Sequence, residues 1–323
     1  MTSSSSLTGR ALVGETLLGN PPSRLPCGEL GLDLTLVREA VGLPAGAAVP
    51  LDAERALVQR WHHDLVTVSF SHGWGAGEQP DEADARFRLS YWQRNSDLFV
   101  FALIDGPFSS LSKAWTWQDA VIRITRNDPE VKRVMADAVV EASEQLAVLA
   151  KAGADGIIIG EDIAFRRGPI IHPDHLRRLY FPYLTLLVVA AQDLGLPVVF
   201  HSDGNLWPIW EDLLRTGING VQGLDPFSAM SLPLARSRSP ESLCLWGNLD
   251  IGWLTREHDE AEVMRQLEDI VGPLRGTPTI FGTSSGLAPG LPLTMLDTLY
   301  RTVARFPWKK TQFSRIESAG TGL

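Results

Sequence analysis

The sequence predicts an α/β protein of the (β/α)8 or TIM-barrel class, distorted and built as one domain, and three observations predict it. Short apolar runs recur with helix-patterned stretches between them, most of those runs end in polar residues able to do chemistry, and the glycine-rich phosphate loops of the rival open sheet are missing. Runs rich in β-branched and aromatic residues read as strands buried on both faces. Repeated strand–helix alternation then gives parallel strands with right-handed crossovers. A doubly wound nucleotide-binding sheet would satisfy the same alternation but should carry G-x-G-x-x-G after its first strand. Chemistry at many strand ends is instead the distribution of a barrel whose site is assembled from its loops.

Residues 1–60 are punctuated by glycine and proline and only weakly periodic, so an irregular segment packing on the barrel is expected there, with a short helix near 34–41. The catalytic barrel is expected over 61–323. Its strands are read at 65–72, 98–105, 156–162, 197–203, 243–248 and 279–284, with a fainter run at 220–225; one further strand has no clear place. Asp128-Pro129 supplies an N-cap and a first-turn proline for a helix ending at Gly153. Pro173-Asp174 opens another that Gly195 closes, with Pro182 predicting a kink, and Thr294-x-x-Asp297 resembles a capping box.

Composition narrows the function. The 323 residues suffice for one large domain, and 44% hydrophobic against 21% charged residues exclude extensive disorder. The net charge of -9 repels nucleic acid and anionic lipid, and no basic run exceeds a pair such as Lys309-Lys310. Neither a signal sequence nor a membrane span is expected, and Cys27 and Cys244 form no metal pair or disulfide framework, which suits a cytoplasmic protein.

The densest chemistry is His201-Ser202-Asp203-Gly204-Asn205. A side chain at a strand end and another two residues on can enter one mouth, as an acid–base pair or as ligands of one metal. Glu161-Asp162 ends the preceding strand, and consecutive residues face opposite ways, so one acid is expected in the cavity, with Asp162 favoured. Arg166 and Arg167 follow, suited to bidentate capture of a substrate carboxylate or to surface salt bridges. His72, Trp74 and Asp105 are placed at the early strand ends, and Asn248 and Ser285 at the late ones. Among ten tryptophans, Trp74, Trp207 and Trp246 fall near strand ends, as a broad site for a flat ligand would require. No G-x-S-x-G, reactive cysteine context or H-E-x-x-H occurs.

From about residue 107 to 306 the chain resembles the uroporphyrinogen decarboxylase family, which also includes zinc-dependent corrinoid methyltransferases. The resemblance is carried by Ala152-Gly153-Ala154-Asp155-Gly156, Phe181-Pro182-Tyr183, Pro197-Val-Val-Phe-His-Ser-Asp-Gly204, Trp246-Gly247-Asn248-Leu249-Asp250 and Gly286-Leu287-Ala288-Pro289. It implies a distorted TIM barrel. Two departures stand out. The family's arginine-rich M-R-Q-A-G-R-Y stretch has no counterpart in residues 1–60, so the porphyrinogen itself is not the expected substrate. The methyltransferase branch binds zinc through H-x-C and a later cysteine, where this chain has His201, Asp203 and Ser285.

The resemblance and the residues together lead first to a cofactor-independent decarboxylase. Arg166 or Arg167 would fix the carboxylate of a small, aromatic substrate, Asp203 or Asp105 would stabilise the cation formed on ring protonation, and His201 would be the acid. The alternative is methyl transfer from an O-methyl donor to a corrinoid protein, with His201, Asp203 and Glu161 holding a divalent metal such as zinc. A catalytically retired ligand-binding barrel is the third reading. Family resemblance further implies a homodimer.

Overall fold

The computed structural model describes residues 7–71 and 81–308. The chain has nine strands among these residues: β1 (Leu65–Ser69), β2 (Phe99–Asp105), β3 (Gly156–Gly160), β4 (Ala164–Phe165), β5 (Gly168–Pro169), β6 (Val198–Ser202), β7 (Gly220–Gly223), β8 (Cys244–Leu249) and β9 (Thr279–Thr283). Seven of them pair in parallel, in the order β1-β2-β3-β6-β7-β8-β9, as a curled TIM-barrel-like sheet, while β4 and β5 form a small antiparallel hairpin. All seven parallel strands coincide with the apolar runs of the sequence, the faint one at 220–225 included. Helices occupy the crossovers, and no helix among the described residues is long and apolar enough to cross a membrane.

The strands are apolar throughout because each feeds two cores. Successive residues point to opposite faces of a strand. Val198 and Phe200 of β6, Val100 and Ala102 of β2 and Ile157 and Ile159 of β3 pack outward beneath the helices. Val199, Phe101, Ile158, Cys244, Trp246 and Ile280 pack inward. The helix Gly9–Leu17 sends Val13 and Leu17 into that inner cluster, and Asn219 donates to Leu17 O, so the helix corks the sheet at the amino-terminal ends of its strands. Trp246 belongs to the inner core: 1% exposed, its ring stacks on Phe101 at 5.4 Å, and its Nε1 donates to Gly28 O at 3.0 Å. A substrate-facing place, expected from its position near a strand end, is therefore replaced by a packing role.

Between β9 and β1 runs an extended stretch, residues 25–32, where only irregular structure was expected. Its bridges to β9 and the loop beyond are Cys27 with Phe281 and Leu32 with Leu287, both parallel. On the other side Asp64 N donates to Cys27 O at 2.7 Å and Thr67 Oγ1 to Glu29 O at 3.3 Å. Arg24 grips the Asp64 carboxylate at the start of β1 with both guanidinium amino groups. The short helix expected near 34–41 forms as Leu34–Ala40, and with Gly9–Leu17 and Leu51–Arg60 beside it this part of the chain is more regular than its glycines and prolines suggest.

Two helix readings change. The 173–195 segment is two helices, Pro173–Leu179 and Phe181–Asp193, broken at Tyr180: Pro182 lies in the first turn of the second helix, where its missing N–H is harmless, rather than kinking one long helix. The capping box at Thr294 does not form, because the helix Leu293–Arg305 starts one residue earlier, with Pro292 as its N-cap, and the Thr294 hydroxyl donates to Glu257 instead. The Asp128-Pro129 start holds, with Asp128 accepting from Glu130 N and Gly153 closing the helix at φ 104°.

The extended stretch carries a buried acid. Glu29 is 3% exposed and accepts from Thr283 N at 3.0 and 3.1 Å, from the Thr283 hydroxyl and from Tyr300 Oη at 2.7 Å. Burial pushes its carboxyl up to about 7 although these bonds favour the anion. The folded chain thus binds a proton that the unfolded chain, with an ordinary glutamate near 4.3, has released by neutral pH. Stability from this group is complete below about pH 4 and is lost as pH rises through about 7, a change on the order of 3 kcal/mol. Denaturant titrations should show stability falling over that window and the fall flattened in Glu29→Gln; equal slopes in both proteins would contradict this.

Candidate functional site

His201 lies on β6 in register with Gln222 of β7 and Gly160 of β3. Registered residues of parallel strands point to the same face, so imidazole and amide both enter the inner face one layer above Val199, at the carboxyl ends of the strands. His201 and Gln222 are both fully buried. Gln222 Nε2 donates to Thr283 O at 3.1 Å and Ser284 O at 3.2 Å, which orients its Oε1 toward His201 Nδ1. That network assigns the proton to Nδ1 and the lone pair to Nε2. Burial holds the imidazole below its ordinary value, in the neutral form, against the pull of the Asp162 charge.

Asp203, two residues on, faces the same way. Both its carboxylate oxygens accept from Ser285 Oγ at 3.1 Å, and its backbone N donates to Asp162 Oδ1 at 3.1 Å. Gly204 makes this turn practicable: its φ is 88°, and a Cβ there would stand 2.5 Å from Ala164 O. The loop beyond folds onto the β4–β5 hairpin, with Asn205 N on Phe165 O at 2.9 Å. Asn205 Oδ1 accepts from Trp207 N at 3.0 Å, steadying the loop just before the short helix that follows.

One ligand atom each of Asp162, His201 and Asp203 lie within 4.8 Å of one another. Asp162 and Ser285 are exposed and Asp203 is half-buried, so the cluster opens to solvent. Loss of water raises the carboxyls of both Asp162 and Asp203, and a neighbouring acid adds to each shift: Asp203 for Asp162 and Asp225 for Asp203. Two carboxylates and a neutral imidazole nitrogen with its other nitrogen held by an amide oxygen make a donor set that fits a divalent cation of the zinc or manganese class.

Glu161 is elsewhere. It follows the pleat outward, where Oε1 accepts from Phe108 N at 2.8 Å and Oε2 from Ser109 N at 2.9 Å and Ser109 Oγ at 3.1 Å, capping the helix Pro107–Ala114 from its N-terminal end. Burial pushes its carboxyl up to about 8. With both oxygens so engaged, Glu161 stands apart from His201 and Asp203, and the acid that lies beside them is Asp162. Asp105, at the end of β2, accepts from the Ser71 hydroxyl and pairs with Lys113 at 2.5 Å.

The remaining expected residues spread outward. Arg166 and Arg167 occupy the exposed turn between β4 and β5, and Arg166 Nε donates to Phe227 O at 3.1 Å. Asn248 is buried, and both its amide hydrogens are engaged, on Leu224 O at 2.9 Å and Met230 O at 2.8 Å, bracing the loop after β7. Trp207 packs on Trp210 at 5.4 Å beneath the Arg238 guanidinium, with Nε1 on Ala229 O. His72 and Trp74 lie outside the described residues. Gln222, Asp225 and Glu29 were not singled out from sequence; a glutamine inside the glycine-flanked run at 220–223 is the one signal that could have marked the first.

The sequence model of the uroporphyrinogen decarboxylase (URO-D) family matches residues 90–306. The chain belongs to that family. A curated uroporphyrinogen decarboxylase from Anaeromyxobacter sp. (strain Fw109-5) is 29% identical over 174 residues, 53% of this chain and 46% of that protein, so the match spans just under half of the relative. Among solved structures, a methyltransferase from Methanosarcina mazei superposes with a TM-score of 0.76 at 15% identity, covering 93% of this chain and 99% of the other. A B12-independent methionine synthase from Shewanella sp. W3-18-1 follows with a TM-score of 0.53 at 12% identity, over 88% and 95% of the chains. At these identities the likeness is one of fold. It places a URO-D family chain on the architecture already described.

The two adjacent acids should separate experimentally. Glu161→Ala leaves helix N–H groups and a hydroxyl without their acceptor and should cost about 1–3 kcal/mol in denaturant unfolding. Asp162→Asn removes one of two crowded carboxylates and should be neutral or stabilising. The reverse order of effects would contradict the assignment.

Proposed function

We propose that the chain is an enzyme working on an oxygen-bearing small molecule at the carboxyl ends of its strands, with residues 25–32 completing the ring as an eighth stave and a divalent cation held by Asp162, His201 and Asp203. The reaction we favour is transfer of a methyl group from an O-methyl donor to an acceptor such as a corrinoid protein. The observation that carries this reading is the Gln222 amide on His201 Nδ1, which leaves a neutral imidazole with its Nε2 lone pair beside two carboxylates. When bound, the cation would supply Lewis acidity to the oxygen that leaves.

The chain's own residues do the rest. Asp162 and Asp203 balance the cation's charge, Ser285 fixes the rotation of the Asp203 carboxylate, and Gln222 fixes the tautomer of His201. Phe165 at the end of β4 and Phe227 on the loop after β7, each 62% exposed, lie on the two segments that Arg166 ties together and offer apolar surface for a flat substrate. The acid-rich mouth disfavours an anionic substrate that arrives without a cation to meet it.

Cofactor-independent decarboxylation is the second reading, favoured by family membership and by the raised carboxyls of Asp162 and Asp203, which keep a proton available for an electron-rich ring. Arg166 and Arg167, at the turn between β4 and β5, would then hold the departing carboxylate. Elemental analysis and turnover with methoxylated and carboxylated aromatic compounds separate the two. The favoured reading expects about one divalent cation per chain, loss of it in His201→Ala and Asp203→Ala, and turnover reduced by at least about 10²-fold in both and by chelation. Carbon dioxide release that persists in chelator would instead support the second.

A further inference from the structure

We infer that Glu29 is a positioning residue for His201 and Asp203, acting through the stretch Thr283-Ser284-Ser285. Glu29 belongs to the extended segment between β9 and β1 and touches neither acid nor imidazole of the mouth. One carboxylate binds both polar handles of Thr283: its N–H at 3.0 and 3.1 Å and its hydroxyl. Tyr300 Oη fixes the other side of that carboxylate at 2.7 Å, and Gly286 N donates to Thr283 Oγ1 at 2.9 Å, closing the turn. The anchored stretch then presents three groups upward. Thr283 O and Ser284 O receive the Gln222 amide, which sets the His201 tautomer, and Ser285 Oγ receives both Asp203 oxygens. The groups that orient two of the three cluster residues thus sit on three consecutive residues, held from beneath by one buried acid.

A glutamate is suited to this place. Its two carboxyl oxygens engage an N–H and two hydroxyls at once, and fully satisfied buried networks of this kind are rigid. Removing it leaves Thr283 N–H without its acceptor and lets the stretch re-register, whereupon Gln222 can rotate and offer its NH2 end to the imidazole. His201 would then exchange its Nδ1–H form for the Nε2–H form.

The inference deepens the proposed function and rests on it only where cation affinity is read. The test is the ring ¹⁵N spectrum of the full chain in chelator, with the His201 signals assigned by their loss in His201→Asn. In the wild type His201 should be in the Nδ1–H form. Glu29→Leu should shift its ring nitrogens toward a mixture of tautomers, and Glu29→Gln, which keeps one acceptor oxygen, should restore most of the wild-type signature. If Glu29→Leu does not fold, Thr283→Val, which removes the hydroxyl alone, is read in the same way. A folded variant with the wild-type His201 signature would overturn the inference, as would a wild type already in mixed tautomers. Cobalt(II) affinity is measured alongside and should fall about 10-fold in Glu29→Leu. A wild type that binds no cobalt refutes the cation site, while the tautomer spectra still decide the role of Glu29.

Discussion

The hydrogen bond between Gln222 and His201 is the constraint on which the site depends. A buried imidazole loses hydration on both nitrogens, and leaving its Nδ1–H without an acceptor would cost about 1–3 kcal/mol. Register brings Gln222 opposite His201, and the two carbonyls of Thr283 and Ser284 hold the amide so that its oxygen is the end presented. The strand that carries a histidine and the strand that carries its orienting group must therefore be neighbours. Gly223, with φ 104° and a Cβ position 3.4 Å from His201 Nδ1, lets them lie close.

Around this bond the electrostatics oppose stability. Asp162 and Asp203 lie together at the mouth, and the charge of Asp225 adds to the crowding at Asp203. Crowded carboxylates raise one another's proton affinity and strain the fold, an arrangement retained where function needs it. A cation held there would remove the conflict by supplying positive charge, and the neutral, burial-depressed imidazole is already in the form that ligates. Glu161 and Glu29 resolve the same difficulty differently: each is buried with N–H and hydroxyl donors and a raised carboxyl, and each holds backbone in place.

Much of this was legible in the sequence because the signals are local. Strands buried on both faces have no alternation to hide, so six of the seven parallel runs stood out and the short β7 left a fainter one, and the pleat that separates Glu161 from Asp162 follows from adjacency alone. The pairing of His201 with Asp203 follows from the same periodicity. What escaped is long-range. Residues 25–32 meet β9 through a single bridge, Cys27 with Phe281, and the loop beyond it through another, Leu32 with Leu287, and Glu29 meets Thr283 across 254 positions, a distance no motif spans. Trp246 and Asn248 were read from their nearness to strand ends, where side chains alternate between solvent and interior; both fall on the interior side. The arginines were placed at the mouth by sequence proximity, but the β4–β5 turn carries them to its exposed edge.

The claim that Asp162, His201 and Asp203 form one cation site is tested most directly by anomalous diffraction from crystals of the full chain soaked in zinc or cobalt. The account predicts a single strong peak at bonding distance, about 2.0–2.2 Å, from His201 Nε2 and from an oxygen of each aspartate. A mouth without a peak in fully soaked crystals, or a peak bound to His201 Nδ1 or to Glu161 in place of Asp162, would contradict it.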